Sequence, residues 1–206
     1  MLQTLQASDL SLNDVETKFG LKECRDLSFF PEWHENLPTL TEEERQALDQ
    51  IKANFLYLSK WPTTEEVVKL VVLSPLLSMA SFYSPPFRIR SETSIQLSLE
   101  EEDKEVRGRI DVLVLQDQLW VLVVESKEAS FSLKAAIPQC LAYMMAAPDI
   151  TRPAFGLVTN GSEFRFLKLV HGQVLYGLSE LLTLQRQDND LYAVLAALKS
   201  LSELYR

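Results

Sequence analysis

Two apolar ribbons decide how this chain folds: Gly108-Arg109-Ile110-Asp111-Val112-Leu113-Val114-Leu115, and Leu119-Trp120-Val121-Leu122-Val123-Val124-Glu125-Ser126-Lys127. In the first, Ile110, Val112 and Val114 should share one face and Leu113 and Leu115 the other. In the second, Trp120, Leu122 and Val124 should oppose Leu119, Val121 and Val123. Strands that are apolar on both faces sit in the middle of a sheet covered on both sides. Asp111, Glu125 and Lys127 interrupt that pattern. Ionised groups there are costly unless they are paired or hold a cation. A period of two places Glu125 and Lys127 on one face and Ser126 on the other.

Asp111 lies directly across from Glu125 only if partner numbers add to 236, which pairs Leu113 with Val123 and Gln116 with Trp120. The connection is then the three residues Asp117-Gln118-Leu119, an ordinary hairpin length. A strict two-residue loop would send the two carboxylates to opposite faces. Two carboxylates and an ammonium on one face suit a divalent cation beside a charge stabiliser, or else a structural ion pair of Asp111 or Glu125 with Lys127 or Arg109. Oxygen-only donors favour magnesium, or manganese, over zinc.

Upstream, Thr41-x-x-Glu44 reads as a capping box opening a helix over about 41–59. Pro62-Thr63-Thr64-Glu65-Glu66 opens a second helix, with Thr63-x-x-Glu66 as its box and Pro75 kinking or shortening it. From Phe87 the period changes to that of a strand. Downstream, 132–147 reads as an alanine-rich helix with a kink at Pro138. Strands follow at 154–159 and 163–169, joined by Asn160-Gly161, then a short one at 174–176, and a closing amphipathic helix over 189–204. The order indicates a layered α/β domain, with residues 1–60 as a partly helical arm and 61–206 as the main domain.

The chain has 206 residues, 47% hydrophobic and 24% charged, and its longest apolar run is far short of the ~20 residues of a membrane span. The N-terminus lacks the pattern of a signal peptide, so a cytoplasmic protein that does not enter a membrane is expected. Cys24 and Cys140 match no metal or redox spacing and read as reduced thiols. The net charge of −9 opposes tight binding to nucleic acid. It is concentrated in residues 1–60 and in Glu100-Glu101-Glu102-Asp103, read as a solvated hairpin tip. Arg88, Arg90, Arg107 and Arg109 line either a nucleic-acid groove or a solvated strand edge. His34 and His171 stand alone, and Trp33, Trp61 and Trp120 read as packing residues.

Taken together, G-R-I-D at 108–111, E-S-K at 125–127 and Q-x-x-x-Y at Gln139 and Tyr143 resemble the PD-(D/E)xK nuclease superfamily. Ile110 stands in place of the proline of that name. The Q-x-x-x-Y pair and V-T-N-G at 158–161 narrow the resemblance to the nuclease domain of type I restriction enzyme R subunits, over roughly residues 60–180. No helicase motor or phosphate loop occurs in these residues, so the nuclease module alone is implied. The resemblance implies a restriction-endonuclease-like core, a mixed β-sheet flanked by helices. It also implies Mg²⁺-dependent endonuclease action on DNA, with attack by a metal-activated water. Asp111 and Glu125 would bind the metal with the Ser126 carbonyl and a glutamate from the first core helix. That glutamate is Glu65, which shares a stripe with Val68 and Val72, or Glu66. Lys127 would orient the water or stabilise developing charge. Gln139 and Tyr143, one turn apart on one helix face, would position the site or contact DNA. The alternative is an inactive nuclease-fold module that binds nucleic acid or a protein partner in a defence or mobile-element system. Given the acidic balance, DNA binding should be weak and salt-sensitive unless the chain forms a homodimer or a protein partner helps.

Overall fold

Helix α2, Glu42–Leu58, begins where the Thr41 hydroxyl accepts from the Glu44 N–H and the Glu44 carboxylate accepts from the Thr41 N–H, the reciprocal box read in the sequence. The second box does not form. Thr64 is the cap of α3, Glu65–Val68, while Thr63 is buried and its hydroxyl donates to the Leu58 and Trp61 carbonyls. The helical path runs on through a π-type turn at Lys69–Leu73 into α4, Ser74–Met79. Pro75 lacks the N–H that an α-turn would use and its ring crowds the preceding turn, and the widened turn accommodates both. The expected kink is replaced by this continuous but π-bulged helix.

The computed structural model describes residues 3–99, 104–117 and 119–206. The acidic run Glu100–Asp103 and Gln118 lie outside the described residues. The remaining elements are β1 (Gln3–Gln6), α1 (Leu12–Phe19), β2 (Lys22–Glu23), β3 (Phe87–Leu99), β4 (Lys104–Gln116), β5 (Leu119–Ser126), α5 (Leu133–Met145), β6 (Ala154–Thr159), β7 (Glu163–Val170), β8 (Leu175–Leu178), β9 (Leu182–Thr183) and α6 (Leu191–Glu203). The α5 helix runs through Pro138 without a break. Thr159 pairs with Phe164 and the Asn160 N–H donates to the Glu163 carbonyl, so the β6–β7 turn is centred on Gly161 and Ser162, one residue later than expected.

The described strands form one mixed sheet in the order β1-β4-β5-β6-β7-β8-β2, with β3 on the other edge of β4 and β9 on β7. Two strands come from the first 60 residues: β1 pairs in parallel with β4, and β2 with β8. Leu48, Ile51 and Phe55 of α2 share a core cluster with α3, α4, α6 and one sheet face, while α1 and α5 cover the other face. The fold is therefore a restriction-endonuclease-like α/β arrangement, a mixed sheet between helical layers. Among the described residues, no helix is long and apolar enough to cross a membrane.

The central hairpin departs from the expected path in two places. Leu113 pairs with Val123 and Val114 with Leu122, as the sum of 236 requires, but Leu115 pairs with Trp120 and Gln116 with Leu119. The connection is thus two residues, and Val121 is an extra residue that restores the register, a β-bulge. The bulge puts Val121 in the same core cluster as Leu122 and Val124 instead of opposite them. Ile110 packs with Leu113 and Leu115, not with Val112 and Val114. The cause lies beside it. The β3–β4 ladder skips the pair Glu92–Asp111, and Glu92 has a left-handed backbone at φ 53°. Before Glu92, Phe87 packs with the α2–α4–α6 layer, and after it Ile95 packs with the α5 layer, although both are odd-numbered.

Candidate active site

Between Arg107, the last β4 residue paired with β1, and Val112, the first paired with β5, the edge of β4 has no strand partner. Side chains bond this fork. The Arg109 N–H donates to the Tyr143 hydroxyl at 3.2 Å, and the Ser126 N–H donates to Asp111 Oδ2 at 2.7 Å. Buried backbone donors require such partners, so the opening of the sheet and the clustering of polar side chains are one feature. Gly108 is needed here, because a Cβ would lie 2.5 Å from Tyr143 Cε1 and 2.8 Å from its hydroxyl.

Glu125, Lys127, Gln139 and Tyr143 form one chain of bonds. Lys127 Nζ donates to Glu125 Oε1 at 2.5 Å and to Gln139 Oε1 at 3.0 Å, and Gln139 Nε2 donates to the Tyr143 hydroxyl at 2.7 Å. Glutamine suits this position because its amide offers an acceptor to the ammonium and a donor to the phenol at once. Gln139 and Tyr143 are buried, and their bonds run to Lys127 and to the Arg109 backbone.

Asp111, Ser126 and Glu65 form a second group joined to the first. The Ser126 hydroxyl lies 3.3 Å from Asp111 Oδ2 and 3.4 Å from Glu65 Oε1. Glu65 thus reaches the strand ends. Glu66 also borders the cleft but is exposed, and its own backbone N–H and the Thr64 hydroxyl hold its carboxyl below the usual range.

The sequence reading did not single out Lys69 or Glu92 as site residues. Lys69 Nζ lies 2.5 Å from Glu65 Oε1, 3.3 Å from Asp111 Oδ1 and 3.6 Å from Glu92 Oε1, and Arg109 Nε lies 2.5 Å from Glu92 Oε2. One signal for Lys69 was available: it follows Glu65 by four residues and so shares its helix face. None existed for Glu92, which arrives through the skipped ladder pair.

Electrostatics follow from burial. Glu125 is 1% exposed, and Oε2 has no hydrogen-bond partner. Burial, reinforced by the neighbouring Asp111, pushes its carboxyl up to about 8 against the pull of Lys127. Burial also raises Asp111, opposed by the Ser126 N–H and assisted by Glu65. Burial works against the charge of Lys69, but Glu65 and Asp111 outweigh it and hold the ammonium above its ordinary value. These groups line an open cleft of about 340 Å³. Among the described residues, no three His, Cys, Asp or Glu side chains make a ready metal cage.

The other candidates lie elsewhere. His34 and His171 bond to the Leu27 and Met144 carbonyls and do not line the cleft. Arg88 and Arg90 are exposed on β3, and Arg107 pairs with Glu105. Trp33 and Trp120 pack against the core as expected, but Trp61 is exposed, edge-on to Tyr57. Cys24 and Cys140 are both free thiols.

No curated protein matches the chain at a significant level. The profile of the family described as Type I restriction enzyme R protein N terminus (HSDR_N) matches residues 11–173. The match takes in β4, β5 and the cleft residues from Glu65 to Tyr143. With well over half its length matched and a restriction-endonuclease-like fold around the cleft, the chain belongs to the family of type I restriction enzyme R protein N-terminal domains.

Proposed function

We propose that this chain is a metal-dependent deoxyribonuclease that hydrolyses DNA phosphodiester bonds as an endonuclease, with Mg²⁺, or Mn²⁺, as its cation. One observation carries the reading. Asp111, Glu125 and Lys127 converge in an open cleft, and one Glu125 oxygen is buried there without a partner. A buried, unpartnered carboxylate oxygen fits a cation ligand better than a structural ion pair, which would satisfy both oxygens. A cage of three carboxylates is not required for such a cation. Magnesium is usually held by one or two carboxylates, with waters and substrate phosphates completing its shell.

Asp111 and Glu125 would hold the cation, with Ser126 and Glu65 beside them. The cation would supply positive charge at the phosphate and lower the pKa of a water. Lys127 is aimed by Glu125 and Gln139 and would orient the attacking water or stabilise negative charge as it develops. Gln139 and Tyr143 act as positioning residues through Lys127 and the Arg109 backbone. The free thiols of Cys24 and Cys140 support a cytoplasmic setting.

Lys69 favours a second reading. Its ammonium already offsets Glu65 and Asp111, as it would in a non-catalytic module that binds nucleic acid or a protein partner. Plasmid nicking in Mg²⁺ or Mn²⁺ separates the two. The catalytic reading expects cleavage by the wild type and a loss of about 100-fold or more in Asp111→Ala and in Lys127→Ala. Equal rates in all three would refute it, and binding of DNA in Ca²⁺ without cleavage in Mg²⁺ would favour the module.

A further inference from the structure

We propose that Glu92 holds the place of a DNA phosphate at the mouth of the cleft, and that Lys69 and Arg109 grip that phosphate when Glu92 yields. The inference rests on the DNA-cleaving function proposed above and assigns the substrate's contact to two further side chains. Glu92 receives Arg109 Nε on one carboxylate oxygen and faces Lys69 Nζ with the other. A phosphodiester presents the same feature, two oxygens sharing one negative charge, and arginine and lysine are the side chains that bind it.

Three observations indicate that Glu92 is displaceable. Its side chain is 46% exposed and that of Arg109 is 67% exposed, so their pair faces solvent and contributes little to stability. Glu92 and Asp111 are skipped in the β3–β4 ladder. Glu92 also has a positive φ, a conformation that is unfavourable for glutamate and concentrates at ligand clamps. Arg109 differs, because its backbone is anchored through its N–H to Tyr143 while its head group is free to change partner. In a chain of net charge −9, an acid at the mouth of the cleft also repels the polyanion it must admit.

The test is a fluorescence-anisotropy titration of a labelled duplex of about 20 base pairs, using the full chain in Ca²⁺ at several salt concentrations. Glu92→Gln should tighten binding by about three- to tenfold. Arg109→Gln should weaken it by a similar factor and reduce the salt slope by about one. In the double variant the gain from Glu92→Gln should shrink, because only the parts that act through Lys69 and through the lost repulsion remain. Glu92→Asn, which suits a left-handed backbone, gives the same reading if Glu92→Gln does not fold. Unchanged or weaker binding by the Glu92 variants overturns the inference, as does an unchanged affinity in Arg109→Gln. If DNA binds but none of these variants alters the affinity, this inference fails while the cleavage reading stands. If neither the wild type nor Glu92→Gln binds the duplex even at low salt, both fail.

Discussion

Glu125 makes this fold sensitive to alkali in a way that one substitution should remove. Its carboxyl is 1% exposed, one oxygen has no partner, and its folded pKa is pushed up to about 8 against an ordinary value of 4.5. Below about pH 4.5 the group is protonated in both states and has no effect on stability. Above that, the unfolded chain releases the proton while the folded chain keeps it, so stability falls as pH rises and stops falling only above about 8. With about one proton retained, the slope is about 1.4 kcal/mol per pH unit, a loss of about 3 kcal/mol by pH 7. Between pH 6.5 and 8 the slope flattens as the folded group begins to ionise, leaving a further loss of about 1.5 kcal/mol. Asp111, raised by the same burial, adds to the loss above its ordinary value of 3.8, while His171, lowered by burial, acts in the opposite sense below its ordinary value of 6.5. The comparison therefore belongs above pH 6.5. Urea unfolding in EDTA, from pH 6.5 to 8.5, measures it directly. Glu125→Gln keeps the volume and an acceptor for Lys127 but cannot ionise, so its curve should be flatter than the wild type by that amount. Parallel curves would refute the argument, and would mean that Lys127 keeps Glu125 ionised despite its burial.

Four further outcomes are expected. Tyr143→Phe removes the acceptor for the Arg109 N–H and Gln139 Nε2, and should lower unfolding free energy by about 1–3 kcal/mol in urea titrations. Gly108→Ala forces a Cβ against the Tyr143 ring and should cost about 1–3 kcal/mol, read as a lower melting temperature. Ca²⁺ at about 100 times its Kd should add about 2.7 kcal/mol of stability to the wild type and none to Asp111→Ala, and EDTA should reverse it. A thiol reagent should label Cys24 but not the buried Cys140 in the folded chain, and both in urea, as mass spectrometry would count.

Much of the site is visible in local spacing. Glu125 and Lys127 meet because residues two apart in a strand share a face, and Gln139 meets Tyr143 because residues four apart in a helix do. The Leu113–Val123 pairing follows from requiring Asp111 to face Glu125, and it occurs. The route to it differs, with a shorter turn and a bulge at Val121. A bulge cannot be read from Leu119–Val124, because six consecutive apolar residues carry no alternation that an insertion would disturb. The second capping box failed although Thr63, unlike Thr64, has a glutamate three residues on: Thr63 is buried, and its hydroxyl is taken by the Leu58 and Trp61 carbonyls.

The layered α/β order, the central hairpin and the short-range pairs of polar groups are legible along the chain, because each depends on a period of two or about four residues within a single element. Three placements arise from packing between elements: β1 joins the sheet beside β4, the ribbon exchanges faces at Glu92 and Asp111, and Lys69 and Arg109 meet Glu92 in the cleft. Those placements join residues tens of positions apart. They are set by which edge of β4 finds a partner and by where that pairing lapses, and backbone groups left open there must be met by whatever side chains the fold brings near.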